Sequence, residues 1–257
     1  MNLKDKVLFL DLDGTIYRGD QRIESALLFV RKLQEEHIRF YFLTNNAMRT
    51  HQQNLQKLLA MGYENISEEQ FFTSAMASSS YVKRHYDVHH VGYIGEAGLK
   101  EALLEEGFKL VNEGAEAIVV GLDSNANYKD YTKAYQQIMD GALFVATNPD
   151  RRIPNRNHSQ IGNGAIIAML EYASEKKAIM IGKPFAPMLD EMLYYANVSK
   201  EDCIIIGDNL ETDIKFGSDH GVETVFVTTG VHSKDDQERF HIYGDYCVSN
   251  LLDLFDL

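Results

Sequence analysis

Short apolar runs alternate with longer amphipathic segments along this chain, and this alternation most constrains its fold. Each apolar run is brief and bounded by polar residues or glycine, which is typical of a buried strand. Between the runs, helical spacing places residues such as Leu27, Val30 and Leu33 on one face. Strand–helix alternation predicts a parallel sheet with helices on both faces. The predicted strands are Val7–Leu10, Phe40–Leu43, Ile118–Val120, Leu143–Ala146, Ile179–Ile181, Cys203–Ile206 and Thr224–Val227.

Composition narrows the class of protein. The 257 residues are 45% hydrophobic, enough to build one large domain or two modest ones. A net charge of −13 disfavours nucleic acid or an anionic membrane as the partner. Two cysteines exclude a disulfide scaffold and a cysteine-based zinc site. The apolar run ending at Leu10 is too short for a signal peptide or a membrane span, so we expect a cytoplasmic protein.

Polar residues directly follow some predicted strands and not others. The strands with polar endings finish near Leu10, Leu43, Ile181 and Ile206. Ligands of open α/β sheets bind beyond the carboxyl ends of strands, so these endings should form one site. The strands between Val91 and Ala146 lack such endings. We therefore expect a second α/β unit to be inserted between about Met76 and Lys177.

The first reactive group is the string Asp11-Leu12-Asp13-Gly14-Thr15. Acids two residues apart on an extended chain project to the same side, and Gly14 allows a sharp turn. One carboxylate can attack phosphorus or carbon and form a covalent intermediate. The second can protonate the leaving oxygen. An acidic turn with a helix-capping role is the alternative for this string alone.

A second acidic group follows the strand Cys203–Ile206. Asp208 lies just beyond that strand, and Asp213 lies about one helical turn later. If this strand neighbours Val7–Leu10, several carboxylates share one cleft and repel each other. Protonation or a bound cation would relieve that repulsion, and oxygen ligands suit Mg²⁺. Alternatively, both acids could stabilise the N-terminus of a helix.

Two further strand endings could hold a phosphate group. Thr44-Asn45-Asn46 supplies a hydroxyl and two amides after Phe40–Leu43. Hydroxyls, amides and nearby backbone N–H groups can hydrogen-bond phosphate oxygens. Lys183 follows Ile179–Ile181, where its ammonium group could offset negative charge. Each string alone also occurs in ordinary loops.

Together, these four strings resemble the haloacid dehalogenase-like (HAD) superfamily of phosphohydrolases. Their order and spacing match over the whole chain. The resemblance implies a Rossmann-like, doubly wound α/β core with an inserted, smaller α/β cap. The core would comprise residues 1–76 and 178–257, and the cap residues 77–177. The long stretch between Thr44 and Lys183 is similar to the cap of the NagD-like, p-nitrophenyl phosphatase-like subfamily.

The resemblance also implies a role for each residue. Asp11 would be the nucleophile that forms an aspartyl-phosphate, and Asp13 the general acid and base. Mg²⁺ would be bound by the Asp11 carboxylate, the Asp13 backbone carbonyl and Asp208. Thr44, the Asn45 backbone and Lys183 would hold the phosphoryl group. Asn209 and Asp213 would support the metal indirectly, through a metal-bound water or by orienting Lys183.

One cap string departs from the family pattern. Members often carry Pro-Gly-x-Gly after an Asn-Pro-Asp string, whereas this chain has Gln160-Ile161-Gly162-Asn163-Gly164. The chemistry would be unaffected, but substrate choice is open. Three arginines that precede this string could bind a second anionic group of the substrate, or they could belong to a solvated loop. They are Arg151, Arg152 and Arg156.

The expected activity is hydrolysis of small phosphomonoesters such as sugar phosphates or nucleoside monophosphates. A mutase-like phosphoryl transfer and a non-catalytic binding protein remain alternatives. Carbon–halogen cleavage is disfavoured by Asp13, because a leaving halide needs no proton. His85, His89 and His90 fit an exposed turn better than a metal site. A homodimer is compatible with the subfamily.

Overall fold

The computed structural model describes residues 3–153 and 159–256. Its strands are β1 Val7–Asp11, β2 Tyr17–Arg18, β3 Gln21–Arg22, β4 Phe40–Thr44, β5 Phe71–Thr73, β6 His90–Ile94, β7 Lys109–Leu110, β8 Ala117–Val120, β9 Leu143–Ala146, β10 Arg152–Ile153, β11 Gln160–Ile161, β12 Ile179–Met180, β13 Cys203–Gly207, β14 Glu223–Val227 and β15 Tyr246–Val248. Its helices are α1 Glu24–Glu35, α2 His51–Ala60, α3 Ser74–His85, α4 Ala97–Glu105, α5 Tyr128–Met139, α6 Asn163–Ser174, α7 Ala186–Ala196, α8 Lys215–His220 and α9 Asp236–Phe240.

The chain divides into two compact units. The first combines Met1–Thr44, Gln52–Phe72 and Met192–Leu257, and the second combines Asn45–His51 and Thr73–Glu191. The second unit is therefore inserted into the first along the sequence. This nesting agrees with the predicted order of core and cap, although residues 45–51, 73–76 and 178–191 fall on the other side of the division. The functional boundaries at 76 and 178 stay a prediction.

The first unit contains a six-stranded sheet with the order β15-β14-β13-β1-β4-β5. From β1, the chain continues to β4 and β5 on one side, and β13, β14 and β15 occupy the other side. The order therefore reverses between β1 and β13, which is the position where doubly wound sheets bind their ligands. β1 runs parallel to both β13 and β4. The predicted doubly wound α/β architecture is confirmed.

Burial explains why β1 forms at the centre of this sheet. Its first four residues are fully apolar and buried, as expected for a strand covered on both faces. On one face, the core includes Phe42 and the α1 residues Leu27, Val30 and Leu33, so the predicted helical stripe is confirmed. A smaller cluster of Leu210, Ile214 and Phe226 forms a second core.

Helical spacing also predicts that Leu55, Leu58 and Leu59 share one buried face before Gly62, and α2 corrects one detail of that prediction. Leu58 is buried, as expected, whereas Leu59 is 41% exposed. Leu59 follows Leu58 directly, and adjacent residues point about 100° apart around a helix. One narrow contact face therefore accommodates only one of them. Gly62 ends the turn after α2 with a φ of +89°, a conformation that favours glycine.

The second unit has its own five-stranded sheet, ordered β12-β9-β8-β6-β7. Its observed pairings are parallel. Ile118, Val120 and Phe144 from the sheet pack with Ile138 of α5 and Ile167 of α6. β12, which ends two residues before Gly182, pairs with β9 in this sheet. Lys183 is thus positioned by the second unit.

The aromatic packing around Phe42 gives a test of the first core. Phe42 is fully buried, with its ring centroid 5.0 Å from that of Phe71 and 5.5 Å from that of Phe40. Phe42→Ala should lower the free energy of unfolding by about 3–5 kcal/mol, because it removes buried surface and leaves a cavity. Urea denaturation followed by circular dichroism measures the change. Leu28→Ala, at a residue that is 48% exposed, is the control. Equal losses for the two variants would contradict the assigned core.

Candidate active site

The acidic residues of the first unit emerge from neighbouring parallel strands. Leu10 of β1 lies opposite Ile206 of β13, and Asp11 lies opposite Leu43 of β4. Asp208 directly follows β13, and Thr44 is the last residue of β4. Because the three strands run in the same direction, their carboxyl ends meet at one edge of the sheet. The condition for a shared acidic cleft, that Cys203–Ile206 neighbours Val7–Leu10, is met by this register.

Three carboxylates converge at this edge. Asp11, Asp208 and Asp213 each place an oxygen within 4.8 Å of the other two. Asp208 and Asp213 are each 1% exposed, and Asp11 is partly buried. Like charges about 4 Å apart repel by about 4 kcal/mol at an effective dielectric constant of about 20. A hard divalent cation would offset this repulsion, and the all-oxygen donor set fits Mg²⁺.

The Asp208 carboxylate is held on both oxygens. The Val231 N–H donates to Oδ2 at 2.6 Å, and the Thr15 hydroxyl lies 3.3 Å from Oδ1. A Cβ atom at Gly14 or Gly230 would overlap this carboxylate, so backbone approaches it closely from two sides. These contacts fix the orientation of Asp208 relative to the other acids. Fixed ligands of this kind are a feature of metal sites.

The turn after Asp11 is held by both backbone and side-chain contacts. Gly14 has a φ of +97°, and its N–H donates to the Tyr17 carbonyl at 2.6 Å. The Tyr63 hydroxyl donates to the Ile16 carbonyl at 2.7 Å, and burial raises the pKa of Tyr63, which keeps it a neutral donor. Asp13 is exposed in this turn. An exposed carboxyl group can exchange protons with water, as a general acid and base must.

Asp213 lies in a π-helical turn, Leu210–Ile214, and Asn209 is the residue directly before that turn. The Asn209 N–H donates to Asp213 Oδ2 at 3.1 Å, and the Asn209 side-chain oxygen accepts from the Glu211 N–H at 3.0 Å. A Cβ atom at Gly207 would overlap the Asp213 side chain. The structure thus brings the Asp213 carboxylate within 4.8 Å of the carboxylates of Asp11 and Asp208. The indirect metal-supporting roles of both residues stay predictions.

Asn45 and Lys183 are joined within the second unit. The Asn45 side chain accepts from the Lys183 N–H at 2.8 Å and donates to the Lys183 carbonyl at 3.0 Å. The Asn45 carbonyl accepts from the Ser74 hydroxyl at 2.6 Å and from the Asn148 amide at 2.9 Å. Lys183 is 2% exposed. Asn45 therefore fixes the backbone at Lys183, while the predicted phosphate-binding roles stay predictions.

The remaining candidates do not join these clusters. Arg151 and Arg152 are exposed, and Arg156 lies outside the described residues. His85, His89 and His90 approach different carboxylates, those of Glu191, Asp87 and Glu116. The three rings therefore approach three different carboxylates rather than sharing one.

The cysteines also lie outside the acidic cluster. Burial raises the pKa of the Cys203 thiol to about 12 and also raises that of Cys247. Because the thiolate is the nucleophilic form, neither side chain is activated for catalysis at neutral pH.

Sequence reasoning missed the residues that hold Asp208. Val231 follows the string Thr228-Thr229-Gly230 after β14, the strand next to β13. The Thr229 hydroxyl donates to the Gly14 carbonyl at 2.7 Å, so this loop also supports the turn after Asp11. A polar ending after a predicted strand was the available signal, as it was for Asp11, Thr44 and Asp208.

The fold and the carboxylate cluster define a class of hydrolases with an aspartate at the end of the first strand. A model of the haloacid dehalogenase-like hydrolases matches residues 8–109, and a HAD-hydrolase-like model matches residues 180–254. The chain belongs to the haloacid dehalogenase-like hydrolase family, and the predicted membership is confirmed.

Two curated relatives match nearly the whole chain. The 5'-nucleotidase YutF of Bacillus subtilis is 34% identical over 238 residues, which cover 91% of this chain and 93% of the relative. An acid sugar phosphatase of Staphylococcus epidermidis is 32% identical over 243 residues, which cover 94% of this chain and 93% of the relative.

Solved structures agree in fold. The p-nitrophenyl phosphatase of Archaeoglobus fulgidus matches with a TM-score of 0.91 and 30% identity, covering 98% of both chains. NagD of Escherichia coli matches with a TM-score of 0.89 and 27% identity, also covering 98% of both chains. The chain is a phosphoric monoester hydrolase, as the sequence predicted. Among the described residues, every helix is too short or too polar to cross a bilayer.

Charge neutralisation gives a test of the acidic cluster. Asp208→Asn should raise the melting temperature in a chelator, because it removes one of three repelling charges. It should also abolish the stabilisation that Mg²⁺ gives the wild type, about 2.7 kcal/mol at 100 times the dissociation constant. Thermal denaturation with and without Mg²⁺ measures both effects. Asp87→Asn, at a fully exposed side chain, is the control. An unchanged Mg²⁺ response in Asp208→Asn would refute the metal assignment.

Proposed function

We propose that this protein hydrolyses small phosphomonoesters with Mg²⁺, through an aspartyl-phosphate on Asp11. The observation that carries the proposal is the convergence of the Asp11, Asp208 and Asp213 carboxylates at the ends of β1 and β13. Asp13, two residues after the nucleophile, supplies the second acid. Its exposure suits proton exchange with leaving group and water.

The proposed reaction has two steps. Asp11 attacks phosphorus, the bond between phosphorus and the leaving oxygen breaks, and Asp13 gives that oxygen its proton. Asp13 then takes a proton from water, whose oxygen attacks the aspartyl-phosphate and releases phosphate and the free Asp11 carboxylate. The residues that would hold Mg²⁺ are Asp11, Asp208 and the Asp13 carbonyl. When bound, Mg²⁺ neutralises charge on the transferring phosphoryl group.

Substrate preference is drawn from the relatives. The relatives are named as a 5'-nucleotidase, an acid sugar phosphatase and a p-nitrophenyl phosphatase. We propose that the physiological substrate is a small phosphorylated metabolite of the sugar phosphate or nucleoside monophosphate class, met in the cytoplasm. A panel of such esters, compared by kcat/KM, would distinguish the two classes. Phosphate transfer to a sugar acceptor in competition with water would instead support the mutase-like alternative.

The nucleophile assignment predicts a large loss of turnover. Asp11→Asn should lower kcat for p-nitrophenyl phosphate by about 10⁴-fold or more, because the amide cannot form the covalent intermediate. Release of p-nitrophenol with Mg²⁺ measures the effect. Asp20→Asn, at an exposed acid of the same loop region, is the control and should retain activity. Turnover by Asp11→Asn close to the wild-type rate would refute the assignment. No phosphate release by the wild type with any divalent metal would contradict the proposed metal-dependent hydrolysis.

The role of Asp13 predicts a dependence on the leaving group. Asp13→Ala should lower kcat by about 10²–10⁴-fold for sugar phosphates, whose alkoxide must be protonated as it departs. The first step should be impaired less with p-nitrophenyl phosphate, because nitrophenolate is a stable anion. Rapid-mixing experiments should therefore show a burst of nitrophenol followed by slow turnover. Equal impairment of the first step for both substrate types would contradict the general-acid role.

A further inference from the structure

A histidine and two glutamates form a second cluster of ligand-type side chains, within the second unit. His51, Glu101 and Glu105 each offer one ligand atom, and these atoms lie within 4.8 Å of one another. His51 Nδ1 lies 4.0 Å from Glu101 Oε2 and 3.8 Å from Glu105 Oε1. We propose that these three residues bind a transition-metal dication of the Zn²⁺ class. This site is chemically distinct from the all-carboxylate cluster at Asp11.

Backbone contacts hold the two sides of the cluster together. The Gly98 N–H donates to the Met48 carbonyl at 2.9 Å, and a Cβ atom at Gly98 would overlap the Arg49 carbonyl. The first turn of α4 therefore packs directly on the segment that leads into His51. The His51 N–H also donates to Glu101 Oε2 at 2.9 Å. The relative positions of His51 and Glu101 are thus set before any metal binds.

The charges at this end of α4 favour a cation. Glu101 and Glu105 are four residues apart on one helix, so their carboxylates repel each other. Glu105 is the last residue of α4, where the helix dipole disfavours negative charge, and the last turn contains no basic residue. A dication between the two carboxylates would offset both unfavourable effects. Glu105 is 55% exposed, so its side chain has room to adjust around an ion.

The two nitrogens of the His51 ring face different neighbours. His51 Nε2 lies 2.9 Å from the sulfur of Met76, and Nδ1 faces the two glutamates. With its proton on Nε2, the ring directs the Nδ1 lone pair at two carboxylates. In that tautomer the Nδ1 lone pair can coordinate a dication held between the two carboxylates, and binding of a proton there is the outcome that the experiment must distinguish from metal binding.

The donor types select the metal. An imidazole nitrogen with two carboxylate oxygens suits Zn²⁺, Co²⁺ or Ni²⁺, whereas Mg²⁺ prefers oxygen ligands and water. Three protein ligands leave a fourth position for water or an external ligand. Excess Mg²⁺ should therefore saturate the Asp11 carboxylates and leave the His51 cluster to Zn²⁺.

Calorimetric titration of the full chain with Zn²⁺, in excess Mg²⁺, tests the proposal. The wild type should bind one Zn²⁺ that Mg²⁺ does not displace. His51→Ala and Glu105→Gln should each weaken this binding by at least about 10-fold. His90→Ala is the matched control, because His90 Nδ1 faces a single carboxylate, that of Glu116, at 3.5 Å. Glu105→Gln alters a half-exposed side chain, so it decides the outcome if His51→Ala fails to fold.

Nitrogen NMR of the imidazole rings distinguishes Zn²⁺ binding at His51 from protonation of the His51 ring. Zn²⁺ should shift the His51 Nδ1 resonance at a pH where the ring is neutral, and Asp208→Asn should retain that shift. Zn²⁺ binding that is unchanged in both His51→Ala and Glu105→Gln would overturn the proposal. So would a wild type that binds no Zn²⁺ in Mg²⁺ and shows only protonation of His51. These readouts do not depend on turnover, so the proposed phosphatase mechanism can fail without affecting them.

Discussion

Repulsion among the carboxylates of Asp11, Asp208 and Asp213 is the constraint on which the candidate site of the first unit depends. The side chains of Asp208 and Asp213 are almost fully buried, and all three offer oxygens within 4.8 Å of one another. Such a group is costly unless a cation or proton balances it. The surrounding structure nevertheless holds Asp208 in place with the Val231 N–H and the Thr15 hydroxyl. A cation bound at this cluster would offset that cost.

The order of strands explains why this cluster forms where it does. β1 and β13 are neighbours in space although almost two hundred residues separate Leu10 from its partner Ile206. The sheet reverses its winding between them, so loops leave on opposite sides and open a crevice at the carboxyl ends. The loop after β14 adds Val231 and Thr229, which contact Asp208 and the Gly14 carbonyl. Three neighbouring strands of the sheet, β14, β13 and β1, thus contribute residues to the region around Asp208.

The Asp11 and His51 clusters differ in their donor atoms, and this difference would favour a different metal ion at each. The Asp11 cluster offers carboxylates only, whereas the His51 cluster combines an imidazole with two carboxylates. Hard, strongly hydrated Mg²⁺ favours the first set and borderline ions favour the second. The histidines with prominent sequence spacing, His85, His89 and His90, pair with different acids. His51 lacked any such spacing signal, because its partners Glu101 and Glu105 lie about fifty residues away.

The sequence by itself determined the local features: the buried strands, the α1 stripe and the acids that follow β1 and β13. Apolar runs and helical spacing depend on nearest neighbours, so periodicity suffices to find them. Four motifs in family order also determined the hydrolase class. Only the tertiary structure decided that β12 pairs with β9, that Asn45 holds the Lys183 backbone, and that Val231 and Thr15 hold Asp208. Those contacts join residues far apart in the chain, and no local pattern encodes which strand edge or side chain a segment meets after folding.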